Sequence, residues 1–276
     1  MELTLPVTLA VLGAAVLHAA WNALLKGSSD KQLDTVAIAV GAGLVGLAVA
    51  VWLPFPARES WPWLAASAIV HILYFICLAG AYHWGDLSYA YPIMRGGGPM
   101  IVALAGAAVF GEVPGVMAAA GVALVCAGIV AFAAGKADRR ATLYALANAV
   151  VIAAYTLIDA KGARASGQAV AYTMWFFVAN AVAIYAWAGL RRGAEVPRYL
   201  AKNWPRLAIG AVLTTGAYAI ALWAMTVAPV ALVAVLRETS VVFAAFIGVL
   251  FLKEKLTRRK WLATAAVLCG LALLRL

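Results

Sequence analysis

Charged residues are scarce in this chain, and the signature motifs of several enzyme classes are missing. Only 12% of its 276 residues are Asp, Glu, Lys or Arg, whereas about a quarter are charged in an average soluble domain. The sequence has no His-Glu-x-x-His zinc pair, no Gly-x-Ser-x-Gly elbow and no Walker lysine. We therefore predict that the chain is not an enzyme and has no catalytic residue, metal or cofactor.

Cysteines and acidic residues are also few. Cys77, Cys126 and Cys269 are odd in number and lie in apolar stretches, so we interpret them as small buried residues and not as disulfide partners. The 11 acidic residues leave a net charge of +10. Because the basic residues fall in short joints between apolar segments, they indicate membrane topology, and we predict no nucleic-acid partner.

Apolar residues dominate what remains. They make up 66% of the chain, and the mean hydropathy is +0.96. Ten segments approach the length of about 20 residues that crosses a bilayer as a helix. We predict these spans at 4–25, 33–53, 63–83, 88–110, 114–134, 141–160, 168–190, 207–226, 229–251 and 259–275. The predicted fold class is an all-α polytopic membrane protein, with the lipid bilayer as its partner.

The distribution of basic residues predicts the orientation of these spans. Fifteen of the 21 Lys and Arg residues lie in the joints after spans one, five, seven and nine, and four lie on the other side. Cytoplasmic joints are the ones enriched in Lys and Arg. We therefore predict a multi-pass protein of the bacterial inner membrane with both termini on the non-cytoplasmic side. The first span lacks a basic start, so we interpret it as a mature helix and not as a signal peptide.

The two halves of the sequence are related. Arg95 lies in an apolar run and is followed 17 residues later by Glu112, and the same spacing recurs 142 positions on with Arg237 and Glu254. Each half holds five spans, an odd number, so the second copy enters the membrane in the opposite direction. We predict two inverted five-helix repeats, 4–134 and 141–275, which meet at a site near the midplane.

The motifs of this duplication resemble those of a known transporter family. The run Ala20-Trp21-Asn22-Ala-Leu-Leu-Lys26 is echoed by Ala154-Tyr155-Thr156-Leu-Ile-Asp-Ala-Lys161, and Glu112 and Glu254 close the two arginine segments. In these features the chain is similar to the ten-helix EamA-type carriers of the drug/metabolite transporter superfamily, whose two halves are EamA-like repeats.

The resemblance implies secondary-active transport by alternating access, with export of amino acids, including aromatic ones, or of related small metabolites. It also implies that helices one, three, four, six, eight and nine line the cavity. The alternative is a multidrug or organic-cation efflux carrier. An intramembrane enzyme or a channel is less well supported, because catalytic motifs and a selectivity-ring motif are missing.

Three ionisable residues inside spans are candidates for substrate binding or gating. Arg95, Arg237 and Glu238 are costly in lipid, and such groups usually face a bundle interior or a wet cavity. The alternative for the arginines is that their side chains reach up to the interface. Adjacent helical residues point about 100° apart, so Glu238 is expected to contact another helix or to bind a proton.

Aromatic and amide side chains supply the other candidates. Trp21 and Asn22 share a helical face with His18, and His71, Tyr74 and Tyr82 share a face of span three. Tyr91, Tyr155 and Tyr218 complete the predicted wall of a site for a small amphipathic molecule. Ordinary helix packing is the alternative for each of these, and a proton relay through His18 or His71 is less favoured than packing.

Several polar or helix-breaking positions have competing interpretations. The run Gly96-Gly97-Gly98-Pro99 is typical of an unwound turn that exposes its backbone, or of close helix contact. Asp159 lies near a span end and is predicted to be interfacial. Glu112 and Glu254 each follow the end of an apolar span and are predicted to lie at the interface or to make helix-end contacts. The sequence leaves open the substrate, proton coupling, the direction of net flux, and the choice between a monomer and a homodimer.

Overall fold

Within the residues that the structure describes, the chain forms eleven α-helices and one short 3₁₀ turn. The computed structural model describes residues 2–26, 30–85, 87–133, 138–252 and 257–274, and no β-strand occurs within these ranges. The helices are α1 (Leu5–Lys26), α2 (Lys31–Ala50), α3 (Trp61–Trp84), α4 (Leu87–Phe110), α5 (Val116–Val130), α6 (Arg139–Ala165), α7 (Ala169–Arg192), α8 (Glu195–Val227), α9 (Val230–Arg237), α10 (Ser240–Leu252) and α11 (Arg258–Leu273). Arg58–Ser60 forms the 3₁₀ turn before α3.

Eight of the helical segments are long and apolar enough to cross a membrane, counting Val230–Ile247 as one. The α5 and α11 helices have only 15 and 16 residues, so the ten spans of the sequence prediction are matched in position but not all in length. The α8 helix begins at Glu195 and has 33 residues. Its first turns occupy the stretch that we predicted as a polar joint before span eight.

Of the two alternatives for the glycine run of span four, the structure shows close helix contact. The α4 helix runs without interruption through Pro92 and Pro99, so the unwound turn does not form there. A Cβ on Gly96 would lie 2.9 Å from the carbonyl oxygen of Cys126 in α5, which means that these glycines permit close helix contact. Span nine is the interrupted one, because a turn at Glu238 and Thr239 separates α9 from α10.

The ends of the helices form two opposite faces of the bundle. On one face the Arg192 guanidinium at the end of α7 pairs with Asp30 before α2 at 2.6 Å, and Arg259 of α11 donates to the Ala131 carbonyl after α5. We call this the basic face. On the other, which we call the opposite face, the Ala57 amide before α3 donates to the Ser166 carbonyl after α6. Successive long helices therefore run between these two faces in alternating directions.

The core of the bundle is formed by contacts between helices of the first half of the chain and helices of the second half. The α3 helix packs on α6 and α8 packs on α1, while α2 contacts α7. The α5 and α11 helices pack so closely that a Cβ on Gly121 would lie 2.7 Å from the Gly270 carbonyl oxygen. Around this core, apolar side chains such as Leu44 and Leu190 are 65% and 90% exposed, as expected for a surface solvated by lipid.

Two groups of residues complete this outer surface. Trp52, Trp61 and Trp261 lie near helix ends, and Trp204 lies just before the segment Leu207–Val227 that is long enough to cross a membrane. All four are exposed, which fits the headgroup level that indole rings prefer. Cys126 is buried and Cys77 half-buried, as expected for small apolar residues, but Cys269 is exposed on α11. For Cys269 the predicted burial is wrong, because this residue lies on the side of α11 that faces away from α5.

Candidate functional site

A cavity of about 140 Å³ lies where α1 to α4 meet α6 to α9. Its lining is aromatic, amide and cationic, and among the residues described no acidic side chain contributes to it. The lining residues are His18, Trp21, Asn22, Thr35, Ala39, His71, Tyr74, Phe75, Tyr91, Arg95, Tyr155, Phe176, Phe177, Asn180, Thr214, Tyr218 and Arg237. Nine of the eleven residues that the sequence singled out are brought together here; Tyr82 and Glu238 lie beside it.

Arg95 and Glu238 form the charged floor of this region. The Arg95 Nε lies 2.7 Å from Glu238 Oε2, and the two side chains are only 7% and 5% exposed. The contact is an ion pair by distance, although the N–H of Arg95 is not aligned on the oxygen, and one terminal nitrogen of the guanidinium has no hydrogen-bond partner. A buried donor without a partner is costly. Arg95 therefore does not reach up to the interface and has a donor left for a ligand.

Arg237 lies on the same cavity without an ion pair among the described residues. Its guanidinium carbon is 5.1 Å from the centre of the Tyr218 ring, a contact that stabilises a cation by the ring quadrupole. Together with Glu238, which lies in a small pocket shared with both arginines, the floor holds two guanidiniums and one carboxylate. An excess of one positive charge in a buried site favours an anionic group on a ligand.

Aromatic rings form one wall of the cavity. The His71 ring centre lies 4.3 Å from that of Tyr155 and 4.8 Å from that of Phe176, and Phe176 lies 5.4 Å from Tyr218. Tyr74 meets Tyr155 edge to face at 5.9 Å. These rings come from α3, α6, α7 and α8, so the wall forms only when all four helices pack together.

The facing wall belongs to α1, and its polar groups are held by local hydrogen bonds. The indole N–H of Trp21 donates to His18 Nδ1 at 3.2 Å, and the side-chain N–H of Asn22 donates to the His18 carbonyl at 2.7 Å. Both contacts are possible because residues three and four apart share a helical face. They fix the Trp21 ring and leave the Asn22 carbonyl oxygen able to accept a hydrogen bond.

Two helices that the sequence analysis left out also line the cavity. Phe176, Phe177 and Asn180 of α7 contribute to it, as does Thr35 of α2, so the expectation of six lining helices is wrong. The sequence does indicate a polar and aromatic face on α7, because Phe176 and Asn180 have the same four-residue spacing as His18 and Asn22. The Asn180 oxygen is buried with no hydrogen-bond partner. It is therefore a second polar atom that a ligand can satisfy.

Tyr82 lies in an adjoining pocket that reaches the basic face. This pocket of about 490 Å³ lies between the start of α2, the end of α3 and Trp187 of α7. Thr35 and Phe75 line both the pocket and the cavity. The pocket on the basic face therefore adjoins the cavity at Thr35 and Phe75, and Tyr82 lies in the pocket and not within the cavity.

The opposite face is closed by a polar cluster around Arg164. Its guanidinium lies 2.6 Å from Glu112 Oε1 and donates to the carbonyls of Met225 and Ala228 at 2.8 and 3.3 Å. Glu112 in turn accepts the Val230 amide N–H at 2.8 Å. The cluster ties together α6, the α4–α5 connection and the α8–α9 connection. Glu112 thus makes helix-end contacts, while its repeat counterpart Glu254 lies outside the described residues.

Asp159 is the functional candidate that the sequence analysis placed wrongly. It was expected at the interface near Lys161, but its side chain is fully buried and Lys161 lies instead over the ring of Trp63 at 5.2 Å. The Asp159 carboxylate accepts the hydroxyls of Tyr172 and Tyr218 at 3.1 and 2.5 Å. Hydropathy could not show this, because α6 continues for five residues beyond the predicted span end.

Comparisons with known proteins agree with this architecture. Residues 139–276, half of the chain, match the model of the EamA-like transporter family. No curated protein matches the chain. Among 27 matching chains of solved structures, one crystal structure is 22% identical, covers 98% of both chains and has a TM-score of 0.74, which shows a shared fold. From the family match and the apolar helical bundle we conclude that this multi-pass membrane protein belongs to the EamA-like transporter family.

Proposed function

We propose that this protein is a secondary transporter that carries small amphipathic metabolites with a carboxylate group, amino acids above all, by alternating access. One observation supports this most directly. The cavity midway through the bundle adjoins the Tyr82 pocket, which reaches the basic face, while Glu112 and Arg164 hold helix ends together at the opposite face. A site approached by a pocket from one side, with the helix ends on the other side held together, fits one state of such a carrier.

The helix contacts support the two inverted repeats of this proposal. In the two inverted repeats, α1 corresponds to α6, α2 to α7, α3 to α8, α4 to α9–α10, and α5 to α11. Replacing each helix by its counterpart turns one observed helix contact into another. The packing of α3 on α6 becomes that of α8 on α1, and the packing of α4 on α6 becomes that of α9–α10 on α1. If each half adopted the conformation that the other half has in this structure, the opposite face would open and the basic face would close.

The lining favours an anionic head and an apolar body in the substrate. Arg95 has an unused donor and Arg237 has no carboxylate partner among the described residues, and guanidiniums hold carboxylates through paired hydrogen bonds. The aromatic wall around His71 and Phe176 offers faces for stacking. A cavity of about 140 Å³, well below the roughly 300 Å³ of the smallest drug-sized sites, favours molecules of amino-acid size.

The orientation follows from the positive-inside rule. We propose that the basic face is cytoplasmic, that both termini lie on the other side and that the membrane is a bacterial inner membrane. The cavity is then loaded from the cytoplasm, and export is the direction of flux that we propose.

An organic-cation efflux carrier is the second candidate, since aromatic rings also bind cations. The two arginines argue against it, because a cation entering the cavity would meet Arg95 and Arg237 while the described lining supplies no carboxylate. Glu238 is already occupied by Arg95. A cationic substrate would have to break that pair.

The test is transport by purified protein in proteoliposomes, with radiolabelled L-phenylalanine, L-leucine and tetraethylammonium. We expect saturable uptake and counterflow of the amino acids, and at least a tenfold loss in Arg237→Gln. Arg191→Gln is the matched control, because this arginine also lies over an aromatic ring, that of Trp187, but is exposed on the basic face. Transport of the cation alone, or full activity of Arg237→Gln, would overturn the proposal.

A further inference from the structure

Asp159 is a buried carboxylate that the transport site does not use, and its hydrogen-bond partners are hydroxyl groups. Tyr172 and Tyr218 donate their hydroxyls to its two oxygens, and the Ser67 hydroxyl lies nearby. These groups come from α7, α8 and α3, and all of them converge on α6. The Asp159 side chain is fully buried.

Among the described residues no Lys or Arg forms an ion pair with Asp159, in contrast to Glu238 and Glu112. Glu238 lies 2.7 Å from Arg95 and Glu112 lies 2.6 Å from Arg164, so a proton on either would break an ion pair. Around Asp159 the titratable and charged groups are His71 on α3, Tyr155 on its own helix, Tyr172, Tyr218, and Arg237 on α9. Arg237 acts from across the Tyr218 ring and not by direct contact.

The hydroxyl shell can accommodate both protonation states of the carboxyl group. A hydroxyl is both a donor and an acceptor, so Tyr172, Tyr218 or Ser67 can turn to accept an O–H from protonated Asp159. A guanidinium has no acceptor and could not do so. Ionisable groups within membrane spans are often proton relays, and here the geometry allows a proton to come and go without breaking an ion pair.

Two routes of polar groups lead from Asp159 to the cavity. One runs through Tyr218, whose ring lines the cavity and whose hydroxyl contacts Asp159. The other runs through His71, whose Nδ1 lies 2.9 Å from the Ser67 carbonyl oxygen and 3.3 Å from its hydroxyl. Asp159 itself lies six residues before the end of α6 at Ala165, about 9 Å below the opposite face. It is therefore placed between the cavity and the closed face.

We propose that Asp159 is a proton-binding site coupled to the substrate site, an inference that rests on the proposed function. The coupling agent is Arg237, which faces the cavity and Asp159 across one tyrosine ring. An ionised Asp159 and a substrate carboxylate compete for its positive charge and repel each other. Protonation of Asp159 removes this competition, so a proton taken from water strengthens substrate binding and moves with the substrate in the same direction; export is then driven by the gradient of the substrate and not by that of the proton.

The test uses proteoliposomes loaded with a pH-sensitive dye, with radiolabelled L-phenylalanine as the probe. For the wild type we expect uptake to acidify the lumen with about one proton per substrate, and the apparent affinity to fall by fivefold or more as the pH rises from 5 to 9. In Asp159→Asn, both the acidification and the pH dependence of binding should disappear. Exchange of internal for external L-phenylalanine should persist, since exchange does not require proton release.

A second variant and a control keep the test decisive if Asp159→Asn does not fold. Tyr218→Phe keeps the ring below Arg237 but removes the hydroxyl from Asp159, and it should reduce the acidification per substrate. Glu195→Gln, an exposed carboxylate on the basic face, should behave as the wild type. Uptake without acidification in the wild type, or a proton yield unchanged in both Asp159→Asn and Tyr218→Phe, would end this inference and leave the proposed function intact. No uptake of any amino acid would end the proposed function.

Discussion

Replacing Arg164 by alanine should open the opposite face of the bundle. Arg164 pairs with Glu112 and donates to the carbonyls of Met225 and Ala228, and all of these contacts cross between separate helices. The two paired side chains are 20% and 17% exposed, between the surface case of 0–1 kcal/mol and the buried case of 3–5 kcal/mol. We expect the closed state to lose about 2 kcal/mol, which is about 30-fold in the equilibrium between closed and open states.

The assay is electron-electron distance measurement between spin labels at Val113 and Gln168. Both residues are exposed at the opposite face; Val113 lies in the α4–α5 connection that the cluster joins, and Gln168 lies in the α6–α7 connection, four residues after Arg164. In a background without Cys77, Cys126 and Cys269, the wild type should give one short distance. Arg164→Ala should add a second, longer distance between the two labels, and a large fraction of the molecules should show it.

A control on the basic face separates gating from general loosening. Glu195→Ala removes the exposed pair with Arg192 and should leave the Val113–Gln168 distance unchanged. If Arg164→Ala also gives a single short distance in a folded, monodisperse sample, the cluster does not hold the opposite face closed, and the energetic reasoning is wrong.

Three further outcomes follow from the packing and from the site. Glu238→Gln should lower the free energy of unfolding by about 3 kcal/mol, because it leaves the buried Arg95 uncompensated. The double variant Glu238→Leu with Arg95→Met should recover thermal stability in detergent but not transport. Recovery of both would contradict the binding role of Arg95. Gly121→Ala should lower the free energy of unfolding by about 1–3 kcal/mol, since its Cβ would lie 2.7 Å from a backbone oxygen of α11. Gly13→Ala is the control, because a Cβ there would have nothing within 4 Å, and it should leave the melting temperature unchanged. Asn180→Ala should raise the KM of transport several-fold with little change in stability, because its oxygen has no partner to lose; an unchanged KM would remove α7 from the binding site.

The positions of the helices were predictable because lipid imposes a simple rule on sequence. Every backbone polar group must be satisfied within the bilayer, so apolar runs such as those of α1 and α3 become helices near the predicted bounds. Local helix quality was less predictable. The Gly96 segment stays helical because α5 and α6 pack against it, and span nine breaks at Glu238, where the sequence has no glycine or proline.

The candidate site was partly predictable because ions and aromatic clusters are rare and costly in lipid. Arg95, Arg237, Glu238 and the tyrosines of α3 and α4 stood out on that ground. Asn180 and its α7 neighbours did not, because polar and aromatic residues at helical spacing also occur in ordinary packing. Which of these faces meet depends on contacts between residues far apart in the chain.

The sequence by itself determined that this chain is an apolar helical bundle with a few charges inside its spans and with an arginine–glutamate spacing that recurs, since hydropathy, helical spacing and sequence repetition are local or repetitive properties. Only the tertiary structure decided which charges pair, which remain available and which face is closed. Asp159 shows the physical reason most clearly: its surroundings are hydroxyls brought from three other helices, and no pattern in its own helix specifies them.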